Sequence, residues 1–420
     1  METFLYLTIM SLFIAMNLFD FAITKLNLDA GAKTPPAPID DIYDKDEYAR
    51  WRKYSEAHTY LSLQSEFISF TFVLVMLMFG GFRALGEWSI RMTDSIYGET
   101  LLFLGALYLL QFLYGSVVSY LEVFRIEEAY GFNRSTKKTF FTDRLKSFIL
   151  GAAFGVFILI GLLWLYETYQ SRFILYGFIL IFLFTLFLNL FYTRLILPIF
   201  SKLTPLEEGE LSDRIHALAY KEGYQVKSIK VMDASRRSSK LNAFFSGFGR
   251  LKTVVLFDTL LEAMDDDAIL AVLAHEIGHS KHKDILKNLI IQSGNVLLTL
   301  GLLSLFITYE PVYRAFGFEG IHIGFGLLLF GIVLSPLNLI LGALFNKLSR
   351  SMELKADRYA ARAVSKDAME RALRTLSKKN FSHLTPHPLY VKLYYSHPPL
   401  LKRIENIREV AYEDTQAQSD

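Results

Sequence analysis

Seven stretches of the 420-residue chain are apolar over a length that suits a bilayer crossing: about 3–24, 66–86, 99–121, 147–167, 173–196, 285–308 and 321–346. A helical span needs roughly 20 such residues, because each adds about 1.5 Å to the axis. Few polar side chains interrupt the runs. Asp20 and Arg83 fall near the ends of the first and second, where snorkelling or an interface accommodates charge. Asn295 and Asn338 lie within the sixth and seventh and are expected to hydrogen-bond between helices. The pattern predicts a multi-pass helical membrane protein.

The polar segments between the runs differ in charge. Basic residues cluster in 25–53, 125–146, 194–284 and 347–408, while the opposite side has little beyond Arg91, Arg172 and Arg314. If seven spans alternate, all four basic segments share one side, and the positive-inside rule makes that side cytoplasmic with the N-terminus outside. Glu2 stands where a signal peptide carries positive charge and no small-residue cleavage pattern follows, so the first run is expected to stay as a span.

Two polar pieces, about 197–284 and 347–420, are expected to assemble into one cytosolic unit across the sixth and seventh spans. In the first piece SDRIHALAYKEG reads as a helix closed by Gly223, and VKSIKVMD and LKTVVLFDTLL read as short strands. AMDDDAILAVLAHEIGHSKH then opens with Asp265 to Asp267, acidic residues that suit the positive end of a helix dipole. The predicted fold is mainly α: a seven-span transmembrane helical bundle with an inserted cytosolic α+β domain. Its expected divisions are 1–196, an N-terminal membrane domain of five spans and their loops; 197–284, the first part of the inserted domain, with the helix that opens at Asp265–Asp267; 285–346, the sixth and seventh spans; and 347–420, the C-terminal part of the inserted domain.

Composition adds exclusions. Apolar residues make up 52% and charged residues 20%, as long uncharged runs require, and the net charge of +2 gives no support for nucleic-acid binding. With no cysteine, disulfides, thiolate ligands and a cysteine nucleophile are excluded, leaving His and carboxylate as metal ligands. The same absence suits a bacterial protein, so a bacterial inner membrane is the expected location.

The chemistry is carried by His275-Glu276-Ile277-Gly278-His279. Four residues apart on a helix, the two His share one face and can bind one metal ion, while Glu276 projects toward the water that such a metal activates and suits a general base. A catalytic zinc takes three protein ligands and keeps one position open. Glu353, in the helix-compatible stretch SRSMELKADRYAARA, is the candidate third ligand, and Asp357, four residues on along the same face, would accept a ring N–H from a ligating His. An ordinary salt-bridged helix face would look similar in isolation; beside His275 and His279 the ligand reading prevails. His282 reads as solvated, and His58, His216, His322 and His383 have no evident constellation.

These motifs resemble the type I CAAX prenyl endopeptidases, integral-membrane gluzincins in which H-E-x-x-H is followed on a later helix by E-x-x-x-D. The likeness extends to RIEEAYGFNRSTKKTFFTDRLK (125–146), LPIFSKLTPLEEGEL (197–211), NAFFSGFGR (242–250) and YYSHPPLLKRI (394–404). It implies one Zn2+ per chain on His275, His279 and Glu353, with Glu276 catalytic and Asp357 orienting. It further implies peptide contacts from Asn242 and Ala243 on an exposed strand edge, with Gly247 and Gly249 beyond. His397 is chosen over His387 for its Pro-Pro-Leu-Leu-Lys-Arg context, to stabilise the oxyanion with Arg403 beside it as a second, substrate-facing cation.

The expected function is hydrolysis near the C-terminus of prenylated CAAX-type or other membrane-associated proteins, with the lipid bilayer as a further partner. A bacterial inner-membrane quality-control metalloprotease is the alternative; a transporter or channel with an incidental metal site is another, though its signature of charged or broken mid-span helices is scarce here.

Overall fold

Each apolar run is carried by a helix, and because the helices exceed the thickness of the hydrocarbon core, most of them project beyond it. The first to seventh spans are Glu2–Ala30, Lys45–Met78, Ile96–Glu127, Lys137–Tyr169, Phe173–Phe200, Asp284–Phe306 and Ile323–Ala363. The structure is a computed structural model that describes residues 1–223, 228–246 and 253–416. Helices satisfy every backbone hydrogen bond internally, as a segment surrounded by lipid must.

The second run differs from its expected bounds. Its helix ends at Met78, and Gly80 adopts φ +70, a left-handed conformation that favours glycine. Residues 81–86 begin a separate helix, Gly81–Met92, on which Arg83 pairs with Glu87 at 2.7 Å. Apolar character alone cannot locate such a break; the Gly80-Gly81 pair was the available signal. The interhelical bonds expected of Asn295 and Asn338 are also not formed among the described residues. Asn295 Oδ1 is buried with no partner, and Asn338 is exposed.

The seventh span continues through residue 346 into the soluble unit as one 41-residue helix. Pro336 interrupts its ladder, since proline has no N–H for the carbonyl of Ile332. Ser335 Oγ donates to that carbonyl at 2.8 Å and satisfies it. The helix can therefore cross the bilayer without a stranded acceptor.

The soluble unit contains a four-stranded sheet of β1 (Leu203–Pro205), β2 (Ser228–Met232), β3 (Ala243–Ser246) and β4 (Thr253–Phe257), in the order β1-β2-β4-β3. The two expected strands are β2 and β4, which pair in parallel, while β3 runs antiparallel to β4 at the edge. Val254 and Leu256 face a core shared with Leu260, Ile269, Leu273, Ala360 and Ile404. Ile39, from the linker between the first two spans, and Trp51, from the start of the second-span helix, enter that same core, each at most 1% exposed. The linker is thus part of the soluble unit's interior as well as a connection between spans.

The helix Asp266–Lys281, here the motif helix, packs against the seventh span with very small clearance. A Cβ at Gly278 would lie 3.1 Å from Ala356 Cα and 3.2 Å from Tyr359 Cβ, neither of which can swing aside. The glycine therefore sets how closely the two helices approach. Gly278→Ala is expected to cost about 1–3 kcal/mol of stability through overpacking and to weaken metal retention. Thermal unfolding and metal analysis of the purified variant check this; unchanged values in both would show that the contact relaxes.

Candidate metal centre and peptide cleft

Asp265 caps the motif helix, its side chain accepting from the Ala268 N–H at 2.8 Å, with Asp266 and Asp267 in the first turn as the charge pattern predicts. His275 and His279 then share the face turned toward the seventh span. Their Nε2 atoms lie 3.2 Å apart, and Glu353 approaches both, Oε2 at 3.5 Å from His275 and Oε1 at 3.3 Å from His279. Ligand atoms of all three residues fall within 4.8 Å of one another.

The outer ring nitrogens have carboxylate neighbours. His275 Nδ1 is 2.9 Å from Asp357 Oδ1, and His279 Nδ1 is 3.0 Å from Asp284 Oδ2. Carboxylates there favour Nδ1–H on both rings, which turns both Nε2 lone pairs inward. Two lone pairs and a carboxylate converge, and the buried Glu353 Oε2 has no hydrogen-bond partner among the described residues. Such a set is repulsive without a cation and complementary to one. All its donors are nitrogen or oxygen, the set that zinc accepts.

The electrostatics point the same way. Burial opposes charge on His275, yet the adjacent Asp357 and Glu353 carboxylates push its pKa up to about 9. His279 is also raised, its bond to Glu353 overcoming burial. Negative potential dominates the site. Burial raises the Glu276 carboxyl above its ordinary value, against the lowering effect of His275 and His279 beside it.

His397 Nε2 lies 3.2 Å from Glu353 Oε1, so this His reaches the site. Its approach is fixed by the seventh span, where Asn346 Nδ2 donates to the Leu393 carbonyl at 2.7 Å and Arg350 Nη1 to that of Val391 at 2.9 Å. His387 instead occupies the N-cap position of the short helix Pro388–Tyr394. Arg403 donates to both Asp357 oxygens, from Nε at 2.8 Å and Nη2 at 2.6 Å, and stands 3.6 Å from Glu353. Its fork is turned toward the ligands.

Asn242 and Ala243 occupy the expected edge: β3 begins at Ala243, and Ala243 packs against the cluster of Ala268, Val272 and Ala372. Asn380 holds the approach to this strand with its side chain, accepting from Leu241 N–H at 2.8 Å and donating to Leu241 O at 3.0 Å. A cavity of about 440 Å³ joins Asn242 to Tyr395, His397 and Arg403. Residues 247–250 of the expected edge, including Gly247 and Gly249, lie outside the described residues.

Sequence reasoning missed Asp284, five residues beyond His279 at the start of the sixth span. The available signal was a carboxylate just past the motif, after Lys283 turns the chain at φ +57. His282 ends the motif helix outside the group of His275, His279 and Glu353, but it is half-buried, with Nδ1 buried and unpaired among the described residues, and is not the solvated side chain the sequence predicted. His58, however, does have a constellation. With Tyr54 and Lys240 it surrounds Glu127 Oε1, at 2.9, 2.6 and 3.0 Å respectively, linking the second and third spans to the approach to β3. His322 Nε2 meets Ser89 Oγ at 3.1 Å, and His383 Nε2 the Asn27 carbonyl at 3.1 Å, so these two also have structural partners.

Residues 26–202 match the family described as CAAX prenyl protease N-terminal, five membrane helices, and residues 205–411 match peptidase family M48. CAAX prenyl protease 1 of Saccharomyces cerevisiae is 32% identical over 398 residues, covering 89% of this chain and 88% of that one. The Homo sapiens homologue is 30% identical over 420 residues, covering 89% and 88%. The Arabidopsis thaliana homologue is 28% identical over 413, covering 95% and 96%. The crystal structure of S. mikatae Ste24p superposes with a TM-score of 0.91 at 31% identity, covering 96% of this chain and 99% of that chain. These relatives come from yeasts, a plant and a mammal, so the bacterial inner-membrane location and the bacterial quality-control alternative are not favoured; lack of cysteine reports chemistry the protein does without, and says little about its source. The transporter reading gives way to an enzyme. This chain belongs to the M48 metallopeptidases of the CAAX prenyl protease 1 type and is an integral, multi-pass membrane metalloprotease.

Proposed function

We propose that the protein is a zinc endopeptidase cleaving near the C-terminus of prenylated CAAX-type proteins, with its site on the cytoplasmic side of the membrane. The observation that carries this reading is the convergence of His275, His279 and Glu353, with Glu276 between the two His, in a chain whose relatives are named as CAAX prenyl proteases. These three residues would hold one Zn2+, which when bound polarises water and the scissile carbonyl and brings the pKa of the water to about 7. Glu276 takes the proton from the attacking water and passes it to the leaving amine. Asp357 and Asp284 hold the two imidazoles in the tautomer that presents Nε2 inward.

His397 supports the oxyanion that forms as the carbonyl becomes tetrahedral. Arg403 serves as a positioning residue. Its Nε and Nη2 are engaged by Asp357, where it offsets carboxylate charge, and it also lines the cavity beside His397 where the sequence places substrate contact. An extended peptide adds to the free edge of β3 at Asn242 and Ala243 through main-chain hydrogen bonds, which hold a chain without reading its side chains.

Specificity then rests on the lipid. Burial contributes about 0.8 kcal/mol per CH₂, so a farnesyl chain improves binding by orders of magnitude over the bare peptide. With the purified enzyme, a farnesylated CAAX peptide is cleaved at low KM, its unprenylated twin at much higher KM, and a chelator stops both. Equal cleavage of the two peptides at all concentrations would remove lipid recognition. Cleavage of neither by a zinc-loaded enzyme would leave the metal site standing and the substrate class wrong.

The proposed topology has its own test. Because the chain has no cysteine, single introduced cysteines report sidedness cleanly. Labels in 125–146 and near residue 215 are expected to react from the cytoplasm, and labels near Arg172 and Arg314 from the opposite face. Labelling of residue 215 from outside overturns the orientation.

A further inference from the structure

We propose that an apolar cavity between the second, third and seventh spans is where the isoprenoid chain of the substrate lodges, an inference that rests on the prenyl-peptide reading above. The cavity measures about 310 Å³ and is walled by Ile68, Phe72, Phe82, Leu107, Leu110 and Leu328. Pockets that hold small organic ligands begin at roughly this size. Its walls come from three spans and the helix Gly81–Met92, so it is bounded within the bundle. Several of those walls face open space: Ile68 is 53% exposed, Leu110 44% and Phe72 38%.

Its position decides the occupant. The cleft beside His397 is lined by Tyr395, whose ring lies 5.7 Å from that of Tyr390. Tyr390 in turn lines a second cavity of about 400 Å³, more polar than the hydrocarbon pocket and lined by Ser62, Ser65 and Glu122 among others. Ser65 and Tyr114 form the next junction, the Tyr114 hydroxyl lying 3.1 Å from both Ser65 O and Ser65 Oγ. Tyr114 and Ser69, one turn beyond Ser65, line the apolar cavity. Three cavities thus follow one another from peptide cleft to polar vestibule to hydrocarbon pocket. A prenylated C-terminus has the same order of chemistry, with a peptide, then polar terminal groups, then a hydrocarbon chain that gains most where it leaves water.

The test compares kcat and KM for farnesylated, geranylgeranylated and bare peptides. A double variant, Ile68→Trp with Leu110→Trp, fills the cavity and is expected to raise KM for the farnesylated peptide about tenfold or more, with kcat and bare-peptide cleavage unchanged. Phe72→Ala enlarges it and is expected to shift preference several-fold toward the longer geranylgeranyl chain. A wild-type enzyme that prefers the farnesylated peptide and a filled variant that keeps that preference would put the lipid elsewhere and overturn the assignment. A wild-type enzyme with no preference would instead remove the prenyl reading itself. If the filled variant does not fold, a farnesyl peptide bearing a photoreactive diazirine decides on the wild-type protein: labels on residues 68–73, 82, 107–114 or 328 support the pocket, and labels elsewhere, or on bilayer lipid alone, overturn it.

Discussion

Glu276→Gln leaves the metal content of the purified protein unchanged and lowers kcat by about 10²–10⁴-fold, the range that a positioned acid–base group contributes. The amide has nearly the shape of the carboxylate but cannot take a proton from water. The side chain lies on the motif helix between the two His, beside the ligand set and outside it, so the metal need not notice the change. Metal analysis and initial rates on the same preparation are the measurement. Unchanged zinc with full activity would exclude Glu276 from proton transfer.

Glu353→Ala has the opposite signature, with metal and activity lost together. Two imidazoles and water make a poor zinc site, and no other carboxylate is grouped with the two Nε2 atoms among the described residues. Folding should survive, because Arg403 keeps its two bonds to Asp357 and only the longer approaches of His397 and Arg403 to Glu353 are lost. A folded protein that still holds stoichiometric zinc would place the third ligand elsewhere. The paired result separates chemistry from metal binding, which activity alone cannot do.

The features legible in the sequence are those written into local spacing. Apolar runs gave all seven spans because a bilayer demands length and composition together, and the four-residue intervals in His275–His279 and Glu353–Asp357 gave two faces of helices. What stayed hidden depends on contacts between residues far apart in the chain. Trp51 enters the soluble core from the start of the second-span helix, its Nε1 donating to the Phe381 carbonyl at 3.1 Å, and no periodicity announces a partner 330 positions away. Glu127 is surrounded by Tyr54, His58 and Lys240 for the same reason. Gly278 could be read only as the x of a motif, since its role is the space it leaves for Ala356. Arg403 was expected beside the site and is found there, but turned toward Asp357: sequence context proposed the neighbourhood, and the bidentate geometry gives the orientation.

The seventh span, one helix from bilayer to soluble unit, ties the candidate metal centre to the bilayer in angle as well as in height. Glu353 stands seven residues past position 346, where the apolar run ends, and seven residues make nearly two whole turns, about 10 Å of axis. Asn346, Arg350, Glu353 and Asp357 consequently fall on one stripe, the first two gripping the segment that leads to His397 and the last two serving the imidazoles. In a helix, one residue inserted or removed between 346 and 353 turns everything beyond it by about 100° and moves it about 1.5 Å. Loops absorb such changes by bulging, but this connection has no loop. Point substitutions along the stretch can therefore be mild where a single-codon deletion would swing the ligand carboxylate out of phase with its two imidazoles, so this part of the chain has its length fixed more firmly than its side chains.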